Sequence, residues 1–250
     1  MRAVIVIPAR MGSTRFPGKV LADLAGKPLI QHVYERARQA RGADDVIVAT
    51  DSAEVSGAVA SFGGRAVMTS PSHASGTDRI AEAASGLDCD IIVNVQGDEP
   101  LIEPSTIEAA MGLLDDSSAD MGTAAVRIRT DEAALDPNSV KVVFGHDGFA
   151  LYFSRSPIPY HRDIWKGHAG VTAGRGVRLY KHIGIYSYRK EALMRLSELP
   201  PTELEMTERL EQLRALESGM RIKVAVVDSD TLGVDTPEDL ERVIRLMNRK

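Results

Sequence analysis

At 250 residues, 44% hydrophobic and 26% charged, the chain has the make-up of a soluble globular protein, long enough for one α/β domain with an insertion. A net charge of -5 excludes broad nucleic-acid binding, which needs clustered Lys and Arg, and the single Cys89 excludes a disulfide framework or a multi-thiolate metal site. No apolar run nears the ~20 residues of a membrane span, and Met1 leads into a strand with no room for a signal peptide; the expectation is a cytoplasmic protein without membrane insertion.

Continuous apolar runs alternate with amphipathic stretches, the pattern of parallel strands covered by helices on both faces. The predicted strands are Ala3–Ile7, Asp45–Ala49, Ala66–Met68, Ile91–Val95 and Thr123–Arg127. Helices are predicted at Leu29–Ala40, Glu54–Ser61, Asp78–Ala84 and Pro104–Leu114, with Asp51-Ser52 and Pro104-Ser105 as starting signals. Cys89, just ahead of an apolar run, reads as a buried structural thiol. Beyond about residue 137 the pattern shortens: Val140–Val143, Ala150–Phe153 and His182–Ser187 have hairpin-like spacing, and Lys166–Gly176 reads as a loop. Helices return at Arg189–Ser197 and Glu205–Ser218, then a strand at Ile222–Val227 and a last helix over Leu240–Met247 behind Thr236-Pro237-Glu238-Asp239. The alternation favours a doubly wound sheet over a barrel, which would need more chain, and places ligands beyond the carboxyl ends of the strands.

The turn after the first strand, Pro8 to Lys19, holds two Gly, two hydroxyls and three permanent cations, Arg10, Arg15 and Lys19. Glycines let backbone N–H groups approach anionic oxygens, and Arg and Lys neutralise a triphosphate. The spacing is not that of a Walker loop, because Val20 stands where a magnesium-binding hydroxyl belongs; nor is there a G-x-G-x-x-G. A solvated basic loop would have the same composition; the position after a strand is what favours a nucleotide. Ile91–Val95 runs into Gln96-Gly97-Asp98-Glu99-Pro100, where Asp98 either reaches a magnesium ion or shapes a turn. Asp235 offers a second carboxylate, with helix capping as the plain alternative, and Asp51 reads as a cap.

Taken together, Ile7-Pro8-Ala9-Arg10, Ser13-Thr14-Arg15, Pro17-Gly18-Lys19, Ser75-Gly76-Thr77-Asp78-Arg79 and Asn94 to Pro100 resemble the 3-deoxy-manno-octulosonate (Kdo) cytidylyltransferases. So do Ala150-Leu151-Tyr152-Phe153-Ser154-Arg155, His182-Ile183-Gly184-Ile185-Tyr186, Leu210-Glu211-Gln212-Leu213-Arg214 and Gly233 to Leu240; the matches run from residue 4 to about residue 243. The resemblance implies a Rossmann-like doubly wound mixed sheet of the nucleotide-diphospho-sugar transferase type, with a smaller inserted sheet or dimerisation region. It implies one domain, with residues 1–137 mainly for CTP, 138–188 as the insertion and 189–250 as the sugar-side helix and closing elements. The implied activity is transfer of CMP from CTP to Kdo, for lipopolysaccharide biosynthesis, by a homodimer using Mg2+.

Carried over by position, Arg10 and Lys19 grip the CTP phosphates, supported by Ser13 and Arg15. Ser75, Gly76, Thr77 and Arg79 form the cytidine side, and Asp98 and Asp235 are the magnesium ligands. Gln96, His182, Tyr186, Glu211 and Gln212 match the sugar face, with Arg155 and Arg162 suited to the sugar carboxylate. Without the resemblance, His182 and Tyr186 read equally as core residues with satisfied tips, and Glu211 as a solvated helix face. Trp165–Arg178 matches no family pattern, which leaves Kdo and an amino-substituted Kdo both open as acceptors. A synthetase for CMP-sialic acid would share the first loop, and a catalytically silent nucleotide-binding regulator would share the fold.

Overall fold

The computed structural model describes residues 1–12, 15–73, 75–163, 165 and 178–248; Ser13 and the whole Lys166–Gly176 stretch lie outside them. In chain order the elements are β1 (Ala3–Ala9), β2 (Asp23–Leu24), β3 (Lys27–Pro28), α1 (Leu29–Ala37), β4 (Asp45–Thr50), α2 (Ala53–Ser61) and β5 (Arg65–Met68). Next come α3 (Gly76–Ser85), β6 (Ile91–Asn94), α4 (Pro104–Gly112), β7 (Met121–Arg127), α5 (Asp131–Leu135), β8 (Lys141–Phe144) and β9 (Ala150–Ser154). The chain ends with β10 (Tyr180–Arg189), α6 (Lys190–Glu198), α7 (Glu203–Glu208), α8 (Gln212–Glu217), β11 (Ile222–Val227) and α9 (Pro237–Met247).

Among the described residues one mixed sheet runs β11-β7-β10-β6-β1-β4-β5. Neighbours are parallel except β10, which lies antiparallel between β6 and β7. Side chains of β1 alternate between two cores: Ile5 and Ile7 join the layer of α1, α2, α4 and α9, while Val4 and Val6 face that of α3, α6 and α8. Burial on both faces is why these strands read as unbroken apolar runs. From β1 the chain moves outward through β4 and β5, then returns to lay β6 on the other side of β1. That reversal is the switch point where a doubly wound sheet opens a crevice.

Three expectations change. The hairpin-like region is not separate from the sheet: β10 is an interior strand of the main sheet, and the β8–β9 hairpin hangs on it through the pair Lys181–Lys141. The single helix expected over Glu205–Ser218 is two, broken at Arg209, whose φ of 55 is left-handed. Asp51 does not cap α2: the Ser52 hydroxyl does, accepting from the Val55 N–H. Cys89 is half-buried, its thiol pushed up by burial.

Candidate active site

A cleft of about 360 Å³ opens at the switch point. Its lining includes Arg10, Arg15, Lys19, Ser75, Gly76, Arg79, Gln96, Asp98 and Asp235, so nine of the sequence-selected residues meet in one place. β1 delivers the cationic turn, closed by Gly18 N–H to Met11 O (3.1 Å) with Gly18 left-handed at φ 71. β6 delivers Gln96 to Asp98. Gly97 is required there, because a Cβ would stand 2.7 Å from the Pro8 carbonyl oxygen.

Asp98 and Asp235 are brought side by side by a backbone bond, Val234 N–H to Asp98 O at 2.8 Å. Their carboxylates converge on one ammonium, with Lys19 Nζ 2.5 Å from Asp98 and 3.0 Å from Asp235. Arg15 adds a second cation 2.9 Å from Asp235. Burial draws the Lys19 ammonium down, but the charges and hydrogen bonds of Asp98 and Asp235 outweigh it and hold Lys19 above its ordinary value. Thr236, not Asp235, caps α9, through a reciprocal arrangement with Asp239. The Asp235 carboxylate is thereby left for the cleft.

Opposite this cluster stands the start of α3. Ser75 is its N-cap, its hydroxyl accepting from the Asp78 N–H at 3.1 Å, so the helix begins earlier than expected and presents its first turn to the cleft. Arg79 is buried, and its guanidinium donates to Asp51 at 2.8 Å and to the Thr69 hydroxyl at 2.5 Å. Sequence reasoning missed this Asp51 role. It also missed His73, which lines the cleft with Nε2 on the Glu82 carboxylate; nothing in the spacing marks it.

The proposed sugar-side residues lie deeper or elsewhere. Gln96 lines the cleft, and its amide donates to Asn94 Oδ1 at 3.0 Å. His182 is 9% exposed, edge-on to Phe153 and beside Tyr186. The Thr123 hydroxyl donates to Ile185 O at 2.7 Å, which leaves its oxygen to accept from His182 Nε2 at 2.9 Å. Burial holds the His182 ring down at about 3 and the Tyr186 phenol well above its usual value. His182 is thus a core residue with a satisfied tip.

Thr77 is buried and bonded to Glu211, and Gln212 is buried at the start of α8. Glu211 is not the solvated helix face that a bare sequence allows: burial pushes its carboxyl up. Arg155 departs from expectation. Its guanidinium is spent on three carbonyls, Glu208 at 2.6 Å, Pro137 at 2.9 Å and Arg209 at 3.3 Å, so it clamps the α7–α8 corner rather than facing the cleft. Arg162 is exposed and outside the lining. No helix among the described residues is long and apolar enough to cross a membrane.

Comparison with known proteins agrees with this geometry. A family model described as cytidylyltransferase matches residues 4–222. The 3-deoxy-manno-octulosonate cytidylyltransferase of Geotalea uraniireducens is 54% identical, with 100% of both chains covered. The protein of the same name from Geobacter sulfurreducens is also 54% identical, with 98% of each covered. A solved CMP:2-keto-3-deoxy-manno-octonic acid synthetase complexed with CTP superposes with a TM-score of 0.92 at 47% identity, covering 100% of this chain and 99% of that one. With the sheet order, the cationic turn after β1 and full-length similarity in agreement, this chain belongs to the cytidylyltransferase family, among the 3-deoxy-manno-octulosonate cytidylyltransferases.

Proposed function

We propose that the chain transfers CMP from CTP to Kdo, releasing pyrophosphate, and that the cleft at the switch point is where it does so. The observation that carries this reading is the meeting of Arg10, Arg15 and Lys19 with the paired carboxylates Asp98 and Asp235. The cations suit a triphosphate, and the first turn of α3 offers close backbone approach to the nucleoside. The anomeric hydroxyl of the sugar attacks the α-phosphorus, the bond to the bridging oxygen breaks, and the hydroxyl proton is lost to solvent or to a phosphate oxygen. Such transfers rest on alignment and charge neutralisation rather than on covalent chemistry from the protein. Arg10, Arg15 and Lys19 neutralise the oxygens of the leaving pyrophosphate, while Gln96 borders the acceptor side.

The donor set fits magnesium. Two hard carboxylates, Asp98 and Asp235, face a common point and would hold the ion, and no third His, Cys, Asp or Glu joins them among the described residues, so phosphates and water would supply the remaining ligands. Bound there, magnesium would polarise the α-phosphate and lower the pKa of the attacking hydroxyl. Lys19 occupies the meeting point of the two carboxylates and would shift toward the phosphates as the ion enters. The same reading takes the protein to be a homodimer in the cytoplasm; sedimentation at working concentration would show a species of twice the chain mass.

The test is pyrophosphate release with magnesium, pairing CTP, UTP, ATP or GTP with Kdo, 8-amino-Kdo or sialic acid. Release with CTP and Kdo alone is expected. Release with CTP and another sugar would keep the chemistry and move the acceptor; no release from folded protein with any pair would leave a silent nucleotide-binding protein.

A further inference from the structure

Thr77 is the second residue of α3, 4% exposed, just behind the Ser75 and Gly76 that line the nucleotide side. Its hydroxyl does not point at the cleft. It donates to Glu211 Oε2 at 2.5 Å, across 134 residues of sequence. Glu211 directly precedes α8 and sits on the side assigned above to the sugar. Its second oxygen, Oε1, is buried and takes no hydrogen bond among the described residues; the Arg214 guanidinium stands 3.8 Å away. Arg214 cannot close that gap cheaply, because it is itself pinned. Its Nε and Nη2 hold Glu205 at 2.7 and 2.5 Å, and its Nη1 holds Leu199 O at 3.1 Å. The start of α3 therefore sets where the Glu211 carboxylate lies, through the short Thr77 bond with the Ser75 hydroxyl beside it, and Oε1 has no donor at hydrogen-bond geometry among the described residues.

Given the proposed function on which this rests, we propose that the Thr77–Glu211 bond is a positioning contact that couples the two halves of the cleft. Nucleotide bound at the first turn of α3 fixes Thr77, Thr77 fixes Glu211, and Glu211 presents Oε1 to a sugar hydroxyl. A buried acceptor without a donor is costly, so the arrangement favours the state in which the sugar supplies one. Thr77 belongs by position to the nucleotide side, yet its loss should appear on the sugar side.

The experiment combines steady-state kinetics with hydrogen exchange on wild type, Thr77→Val, Thr77→Ser and Glu211→Gln. Thr77→Val is expected to raise the KM for Kdo about tenfold while the KM for CTP stays within about twofold; Thr77→Ser, which keeps the hydroxyl, restores wild-type values. In the double variant Thr77→Val with Glu211→Gln, the loss should not exceed that of Glu211→Gln alone, the mark of a shared interaction. Exchange needs no turnover: CTP should slow the amides of α8 in wild type and in Thr77→Ser, but not in Thr77→Val. A lowered melting midpoint with unchanged KM for Kdo would reduce the contact to a tether and overturn the proposal, as would a rise in the KM for CTP alone. Wild-type protein that turns over CTP and Kdo but shows no α8 protection by CTP would overturn it while leaving the functional reading standing. Wild type that binds no CTP would overturn both.

Discussion

On the proposed function, Asp98 is the residue on which the chemistry turns. Its backbone is fixed in the turn after β6 by a glycine that admits no side chain and by the Val234 N–H on its carbonyl, and its carboxylate is held by the Lys19 ammonium. Asp98→Asn keeps the shape but halves the carboxylate charge shared with Asp235. Turnover should fall by about 10²–10³ with an unchanged melting midpoint; near-normal turnover would remove Asp98 from the site. His182 gives a prediction of a different kind. The folded protein holds the ring at about 3 against an ordinary 6.5, so as pH falls the unfolded chain takes up the proton first. The neutral ring contributes fully above pH 6.5, and that contribution is lost on the way down to pH 3, at about 1.4 kcal/mol per pH unit. Denaturant titrations from pH 7 to 4 should show this slope in wild type and a shallower one in His182→Gln; equal slopes would place the titrating group elsewhere.

At the scale of elements, the site is built from turns whose geometry is enforced by neighbours. Gly97→Ala would push a methyl against the Pro8 carbonyl, where β1 and β6 release their functional residues. A loss of about 1–3 kcal/mol in unfolding free energy is expected, together with weaker CTP binding; a neutral substitution would mean that the two turns can part freely. The α7–α8 corner depends on Arg155, whose fork holds the carbonyls of Glu208 and Arg209. Lysine cannot reach three carbonyls at once. Arg155→Lys should lower stability by roughly 1–3 kcal/mol, with any rise in the KM for Kdo following from Glu211. A raised KM with full stability would instead return Arg155 to the sugar carboxylate.

These elements also mark how far the sequence could be read. Strand runs buried on both faces announce themselves, and all five predicted N-terminal strands stand within two residues of their observed ends. The Arg10–Lys19 turn and Asp98 were legible because the chemistry sits immediately after those runs. The break at Arg209 was not, because the side chain that stabilises it lies 54 residues away. The same holds for Asp51, which looked like a cap until Arg79 was placed beside it, and for Arg155, whose residue type suits a carboxylate as well as a set of carbonyls. Long-range pairing decides such positions, and local pattern does not record it.

For the whole molecule, the order β11-β7-β10-β6-β1-β4-β5 opens a crevice at the switch point, and four of the chain's 30 Lys and Arg side chains line it despite a net charge of -5. Arg10, Arg15, Lys19 and Arg79 line that cleft with Asp98 and Asp235, and Arg79 is already paired with Asp51 behind it. On the proposed reading, an anionic nucleotide is drawn to the cations that stand beside the carboxylates Asp98 and Asp235. The most direct test of the account is phosphorus NMR of CTP and Kdo incubated with the protein and magnesium. The account predicts one pyrophosphate formed for each new CMP diester to the sugar. Release of orthophosphate, or untouched CTP in the presence of folded protein, would contradict it.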